Sequence, residues 1–297
     1  MRHLGFVGFG EAAYHIAKGL KGEGVSRISA YDIAVTEKLQ TRAHETGVEL
    51  VESPAALAGV ADVIISAVTA DQAVPAAEQN APHLTARHLY CDLNSISPKA
   101  KERVAATATR NGARFVEIAV MGPIPPYLHK APLLIGGPAA REFQSIFEPL
   151  GMRMEIVSTD QIGRASAIKM FRSVVYKGLE ALLLECVLGA RQYGAEPRVF
   201  ASLAESIPGV DWKKLADYML GRVAIHGERR AREMEEVAKT LEELGVEPLM
   251  ASATARRFDW AAGLGLKEKF RGEFPKTYEE VLRAIAESAP EAAGTRS

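Results

Sequence analysis

The stretch HLGFVGFGEAAYHIAKGL, residues His3 to Leu20, sets an apolar run against a pair of glycines and then a helix-forming segment. Leu4 to Val7 reads as a short buried strand, and Ala12 to Leu20 reads as an amphipathic helix. Between them lies Gly8-Phe9-Gly10-Glu11-Ala12-Ala13, a GxGxxA hexapeptide. Glycine and alanine are common, so the hexapeptide alone is weak evidence; a strand before it and a helix after it supply the context that dinucleotide binding requires. Gly8 permits the tight turn, Gly10 lets the backbone approach a pyrophosphate, and Ala13 allows close packing of helix on strand, with helix N-terminal amides facing the anion. Phe9, Glu11 and Ala12 complete the candidate cofactor loop. Glu11 adds negative charge near the phosphates unless its side chain turns away.

A second strand ends in Tyr31-Asp32, about two dozen residues after Gly8, where a carboxylate accepts hydrogen bonds from an adenosine ribose. Asp32 would repel a 2′-phosphate, and Ile33-Ala34-Val35 brings no cation to bind one. The expected cofactor is therefore NAD, with NADP admitted as the alternative. A structural turn with a capping Asp is the plain competing reading.

Strand-like runs continue through DVIISAV, HLYCDL, RFVEIAV, PLLIGG and MRMEIV, alternating with helical stretches. The expectation is a Rossmann-type doubly wound parallel sheet, class α/β, over residues 1–160. From about Gln161 strand-like runs vanish, so an all-helical substrate and dimerisation domain is expected over 161–288, with 289–297 a disordered tail. Ala165 to about Tyr193 holds no proline and reads as one helix of ~40 Å joining the domains.

The chain of 297 residues carries 36 Lys and Arg against 37 Asp and Glu, which leaves no basic excess for nucleic acid. No stretch approaches the roughly 20 apolar residues of a membrane span, and the opening residues do not read as a signal peptide. A cytoplasmic protein with a small-molecule substrate is expected, and the apolar helices of the second half point to a homodimer. Cys91 and Cys186 stand far apart and read as packed thiols, and the seven histidines lack ligand spacing, so no metal is expected.

In ASAIKMFRSVVYKGLEAL, Lys169, Arg172, Ser173, Tyr176 and Glu180 share one face of a mostly apolar helix. A solvated surface explains such a stripe in isolation. Its place directly after the nucleotide domain instead suggests a ligand cleft.

Five ordered blocks carry a resemblance: GFVGFGEAA, ADVIISAVTADQAV, CDLNSISPKAKERVA, FVEIAVMGPIPPYLHKAPLLIGG and IGRASAIKMF. Together they resemble the β-hydroxyacid dehydrogenases, relatives of 6-phosphogluconate dehydrogenase and 3-hydroxyisobutyrate dehydrogenase. KMFRSVVYKGLEALLLECVLGARQYG and HGERRAREMEEVAKTLEELGVEP resemble a bacterial branch with a C-terminal domain of unknown function. The resemblance implies hydride transfer between a nicotinamide and an anionic hydroxy acid or its carbonyl counterpart, with Lys169 as the general acid/base. It also implies that Val68, Asn94 and Ser95 line the nicotinamide side, and that Met121, Gly122, Pro123, Arg172 and Ser173 meet the substrate.

Two positions depart from the family pattern: Arg172 replaces the usual asparagine and Met121 replaces a serine. A guanidinium grips a carboxylate or phosphate bidentately, and Met121 offers a soft apolar wall. An anionic substrate with a larger apolar portion is therefore expected. Imine reduction on the same fold, or a non-catalytic NAD-binding sensor, are the alternatives. His129 and Lys130 follow the proline-rich loop as weaker candidates. His226, Arg229 and Arg230 read as an anion site or as a solvated basic face paired with Glu233 and Glu236. Trp212 and Trp260 read as core or dimer anchors.

Overall fold

The computed structural model describes residues 2–288, so the expected tail over 289–297 lies outside the described residues. The order of elements begins β1 (Leu4–Val7), α1 (Glu11–Gly22), β2 (Ile28–Tyr31), α2 (Glu37–Thr46), β3 (Glu49–Leu50), α3 (Pro54–Val60) and β4 (Val63–Ser66). It continues α4 (Ala73–Asn80), β5 (Leu89–Asp92), α5 (Pro98–Ala108), β6 (Arg114–Val120), β7 (Leu133–Gly136), α6 (Ala140–Phe147) and β8 (Met154–Ile156). Then come α7 (Arg164–Arg191), α8 (Glu196–Ser206), α9 (Trp212–Glu243), α10 (Leu249–Gly263), α11 (Leu266–Lys269) and α12 (Tyr278–Ser288). Among the described residues no helix is long and apolar enough to cross a membrane.

The eight strands form one sheet in the order β3-β2-β1-β4-β5-β6-β7-β8. The order reverses between β1 and β4, which leaves a crevice at the carboxyl ends of these two strands. β4 and β5 are buried along their whole length, as strands covered on both faces must be. One face packs Phe6, Ile65, Cys91 and Val116 against α1 and α6 through Leu20 and Phe143. The other packs Ile64, Tyr90 and Phe115 against Leu57, Ala77 and Val104 of α3, α4 and α5.

The sheet is parallel, as expected, at every pairing but one: β7 runs antiparallel to β6, pairing Val120 with Leu133 and Glu117 with Gly136. A parallel connection needs a crossover, usually a helix. Pro123, Pro125 and Pro126 deny that helix its amide donors, and the chain turns back on the same end of the sheet.

Chain contacts divide the protein into two units, the first ending at Met170 and the second beginning at Phe171, inside α7. From Phe171 on, every described element is helical. Within that second unit α9 runs against α10, α8 and α12, burying Met219, Val223, Met234, Phe258 and Ile285. Trp212 is buried there, and Trp260 is 40% exposed with Arg257 over its ring.

Candidate active site

The glycine loop has the backbone its residues dictate. Gly8 has φ +82°, and a Cβ there would lie 2.7 Å from both the Ala67 carbonyl oxygen and Val68 Cγ1. Only glycine fits such a position. Gly10 is the opposite case: a Cβ there would meet nothing within 4 Å, so its backbone faces open space. Asp32 ties the loop down, its Oδ2 accepting from the Phe9 N–H at 2.7 Å and its Oδ1 from the Ala34 N–H at 3.0 Å. Each carboxylate oxygen keeps a further lone pair for a ligand.

These residues enclose a cavity of about 390 Å³, lined by Gly8, Gly10, Glu11, Ala12, Asp32 and Val68 among others. Phe9 and Ala13 do not line it: both side chains are fully buried, Phe9 edge-on to Phe6, so they support the loop from beneath. Ile33, Thr69, Gln72, Ala76 and Gln79 line the cavity without having been assigned from sequence. Thr69 and Gln72 fall inside the block ADVIISAVTADQAV, so the signal was position rather than residue type. A larger cavity, about 540 Å³, lies at the amino end of β6; of its charged lining residues, Glu102, Arg114 and Glu142, the last two pair with each other at 2.8 Å.

Asn94 is nearly buried beyond β5 and makes its contacts inward. Its Oδ1 accepts from the Val68 N–H at 2.7 Å, and its Nδ2 donates to Asp92 Oδ2 at 2.7 Å and Ser66 Oγ at 3.0 Å. Ser95 is exposed and outside the cavity lining.

Lys169 lies on the second turn of α7, half-buried. That helix starts where it does because of Gly163 and Glu117. Gly163 has φ +94° and sits so close to Pro98 that a Cβ would stand 3.0 Å from its ring. Glu117, fully buried on β6, accepts from the Ala165 N–H at 3.0 Å and the Ser166 hydroxyl at 3.1 Å. A carboxylate at a helix start satisfies orphan amides and complements the helix dipole. Glu117 stood in a quoted block, yet nothing in a strand-forming run signals a partner 48 residues away.

Met121 and Gly122 are half-buried and Pro123 is exposed, at the start of the β6–β7 connection. His129 does not turn toward the cavity: it is buried against α1, its Nε2 at 2.9 Å from the Leu150 carbonyl, in a slot that exists because Gly19 lacks a Cβ. Burial lowers its pKa. Lys130 pairs with Glu23 at 2.8 Å.

In the second unit the Arg172 guanidinium stands 4.7 Å from the centre of the Tyr176 ring and has no carboxylate partner among the described residues. Ser173 is half-buried beside it on α7. Glu180, fully buried, is gripped by both Nε and Nη2 of Arg230, and Arg229 pairs with Glu233. Thus only part of the basic stretch is a solvated face. His226 is pushed down to about 4, first by burial and then by Arg229, Arg222 and Arg230.

Comparison with known proteins agrees with this geometry. Residues 3–159 match the family described as the NAD binding domain of 6-phosphogluconate dehydrogenase, and residues 190–261 match a domain of unknown function, DUF1932. The crystal structure of a conserved hypothetical protein from Sinorhizobium meliloti is 38% identical, with 97% of each chain covered and a TM-score of 0.80. The conserved protein MTH1747, of unknown function and similar in structure to 3-hydroxyacid dehydrogenases, is 31% identical over 91% of this chain and 99% of that one, with a TM-score of 0.75. The 3-hydroxyisobutyrate dehydrogenase of Mycobacterium tuberculosis, solved with L-serine, shares the fold at 17% identity, with a TM-score of 0.74 and 96% and 99% of the two chains covered. The glycine loop, the reversed strand order and these matches together make the chain a member of the 6-phosphogluconate dehydrogenase-type NAD(P)-binding family, in the branch that carries a DUF1932 domain.

Proposed function

We propose that this protein is an NAD-preferring oxidoreductase acting on an anionic hydroxy acid or its carbonyl counterpart. The observation that carries the proposal is the cavity built on Gly8, Gly10, Ala12 and Asp32 at the point where the strand order reverses. A dinucleotide fits it: Gly10 leaves room for a pyrophosphate over the start of α1, Asp32 keeps lone pairs for a ribose, and Ile33 and Ala76 offer apolar surface for an adenine. The preference for NAD rests on the Asp32 charge and on exposed Ile33 and Val35, where a 2′-phosphate would need a cation.

When bound, the nicotinamide accepts or supplies the hydride. Lys169 then handles the proton at the substrate oxygen: its neutral amine takes the hydroxyl proton as the carbonyl forms, and its ammonium returns one in the reverse direction. Arg172, one turn further on α7, binds the substrate carboxylate or phosphate; its lack of a carboxylate partner among the described residues supports that role. Met121, Gly122, Pro123 and Ser173 complete the proposed substrate contacts.

A homodimer belongs to the same proposal, supported by Val175 and Leu182 of α7, which are 73% and 56% exposed. Both cysteines are free, in keeping with a reducing cytoplasmic setting.

The test is a fluorescence titration with NADH and NADPH side by side, followed by a panel of hydroxy acids, carbonyl compounds and imines. Tight NADH binding, weak NADPH binding and turnover of anionic hydroxy acids are expected. Binding of neither nucleotide overturns the proposal, and turnover of imines alone moves it to imine reduction.

A further inference from the structure

Beneath the wall of the cavity lies an ion pair with no exposure to water. Asp92, the last residue of β5, and Lys101 of α5 are both fully buried, and the Lys101 ammonium contacts Asp92 Oδ1. Its remaining donors go to the Asp92 carbonyl at 2.8 Å and the Ile118 carbonyl at 3.3 Å. All three N–H groups of the lysine are thereby used. A buried ion pair stabilises a fold poorly compared with apolar side chains of equal volume, so this one calls for another account.

Its second contact supplies one. Asp92 Oδ2 accepts from Asn94 Nδ2 at 2.7 Å, and Ser66 Oγ takes the other amide hydrogen at 3.0 Å. Both donors of Asn94 therefore point at the strand ends, and its carbonyl oxygen is left to accept from the Val68 N–H at 2.7 Å. A reversed amide would set oxygen against the Asp92 carboxylate and NH₂ against the Val68 amide. Val68 in turn lines the cavity and lies against Gly8. In a doubly wound sheet the ribose carboxylate at the end of β2 marks the adenosine half, so the other half falls beyond the reversal, at β4 and β5. Val68 follows β4, and Asn94 follows β5.

We propose that Asp92 and Lys101 are positioning residues for the nicotinamide half of the cofactor: through Asn94 they hold the Val68 backbone, and with it the cavity wall against which that half lies. The inference rests on the reading of the cavity as a dinucleotide site.

The test measures the affinity of the full chain for NADH and for ADP-ribose, which lacks the nicotinamide. The variants are Asn94→Ala and the double change Asp92→Leu with Lys101→Met, which removes the acceptor that holds the Asn94 amide, leaves no unpaired charge and serves if Asn94→Ala fails to fold. NADH affinity falls about tenfold in each, the loss expected for one hydrogen bond, while ADP-ribose binds as in the unaltered chain. A purely structural role would weaken both ligands equally; that result, or unchanged NADH affinity, overturns the inference. An unaltered chain that binds neither ligand overturns the proposed function itself. One that binds NADH no better than ADP-ribose removes the nicotinamide from Val68, and the inference with it.

Discussion

Gly8, Asp32 and Lys169 illustrate three degrees of dependence on surroundings. Gly8 was readable from its neighbours in sequence, because the turn it makes is local. The structure adds the packing partners that forbid a side chain there, Ala67 and Val68, which follow the end of a different strand, β4. Gly8→Ala therefore forces a strained φ and a clash with backbone; it is expected to cost about 1–3 kcal/mol in urea unfolding and to abolish NADH binding. The spacing of Asp32 from Gly8 marks it as a ribose acceptor, while its hold on the Phe9 N–H depends on loop geometry that spacing does not reveal. Lys169→Ala is expected to stop turnover with nucleotide affinity nearly intact. Equal loss of both would give Lys169 a structural or cofactor-binding role. Asn94 shows where sequence reasoning ran short: its block was recognised, but the direction of its amide follows from Asp92 and Lys101 folding underneath it.

Elements were legible where hydrophobic period was strong. Seven of the strand-like runs correspond to strands, while β3, two residues long, has too little pattern to detect. The orientation of β7 was not legible, since strand direction depends on the route of the connection rather than on the strand's own residues. The unbroken helical period of α7 spells out one helix, but not the remote carboxylate that starts it. Glu117→Ala leaves the buried Ala165 amide and the Ser166 hydroxyl without the acceptor they share, and a loss of about 1–3 kcal/mol in the unfolding free energy is expected. α9 carries a pH dependence of its own. His226 is pushed down to about 4 by burial and neighbouring arginines, against an ordinary value near 6.5. The unfolded chain thus binds the proton more readily, so stability is full above that ordinary value and falls as pH drops toward 4. A melting-temperature profile should show this decline, and His226→Gln should flatten that part of it.

For the molecule as a whole, composition and the change in texture near Gln161 were enough to separate a nucleotide-binding half from a helical one. The exact partition was not, because the division at Met170 and Phe171 falls where the helical pattern continues unbroken. Self-association belongs to this scale. If the proposed homodimer forms through α7, Val175→Glu combined with Leu182→Glu converts it into a monomer in sedimentation velocity; an unaltered chain that sediments as a monomer overturns the dimer, and variants that stay dimeric move its interface away from α7. The position of the division has a practical consequence for dissecting the protein. Proteases cut extended, exposed chain, and the peptide bond between the two units is wound into the second turn of a helix of 28 residues. Limited digestion should therefore leave this junction intact. Expression of either unit alone, cut at Phe171, would strip the first unit of the helix that carries on from Lys169, or leave the second with a severed first turn.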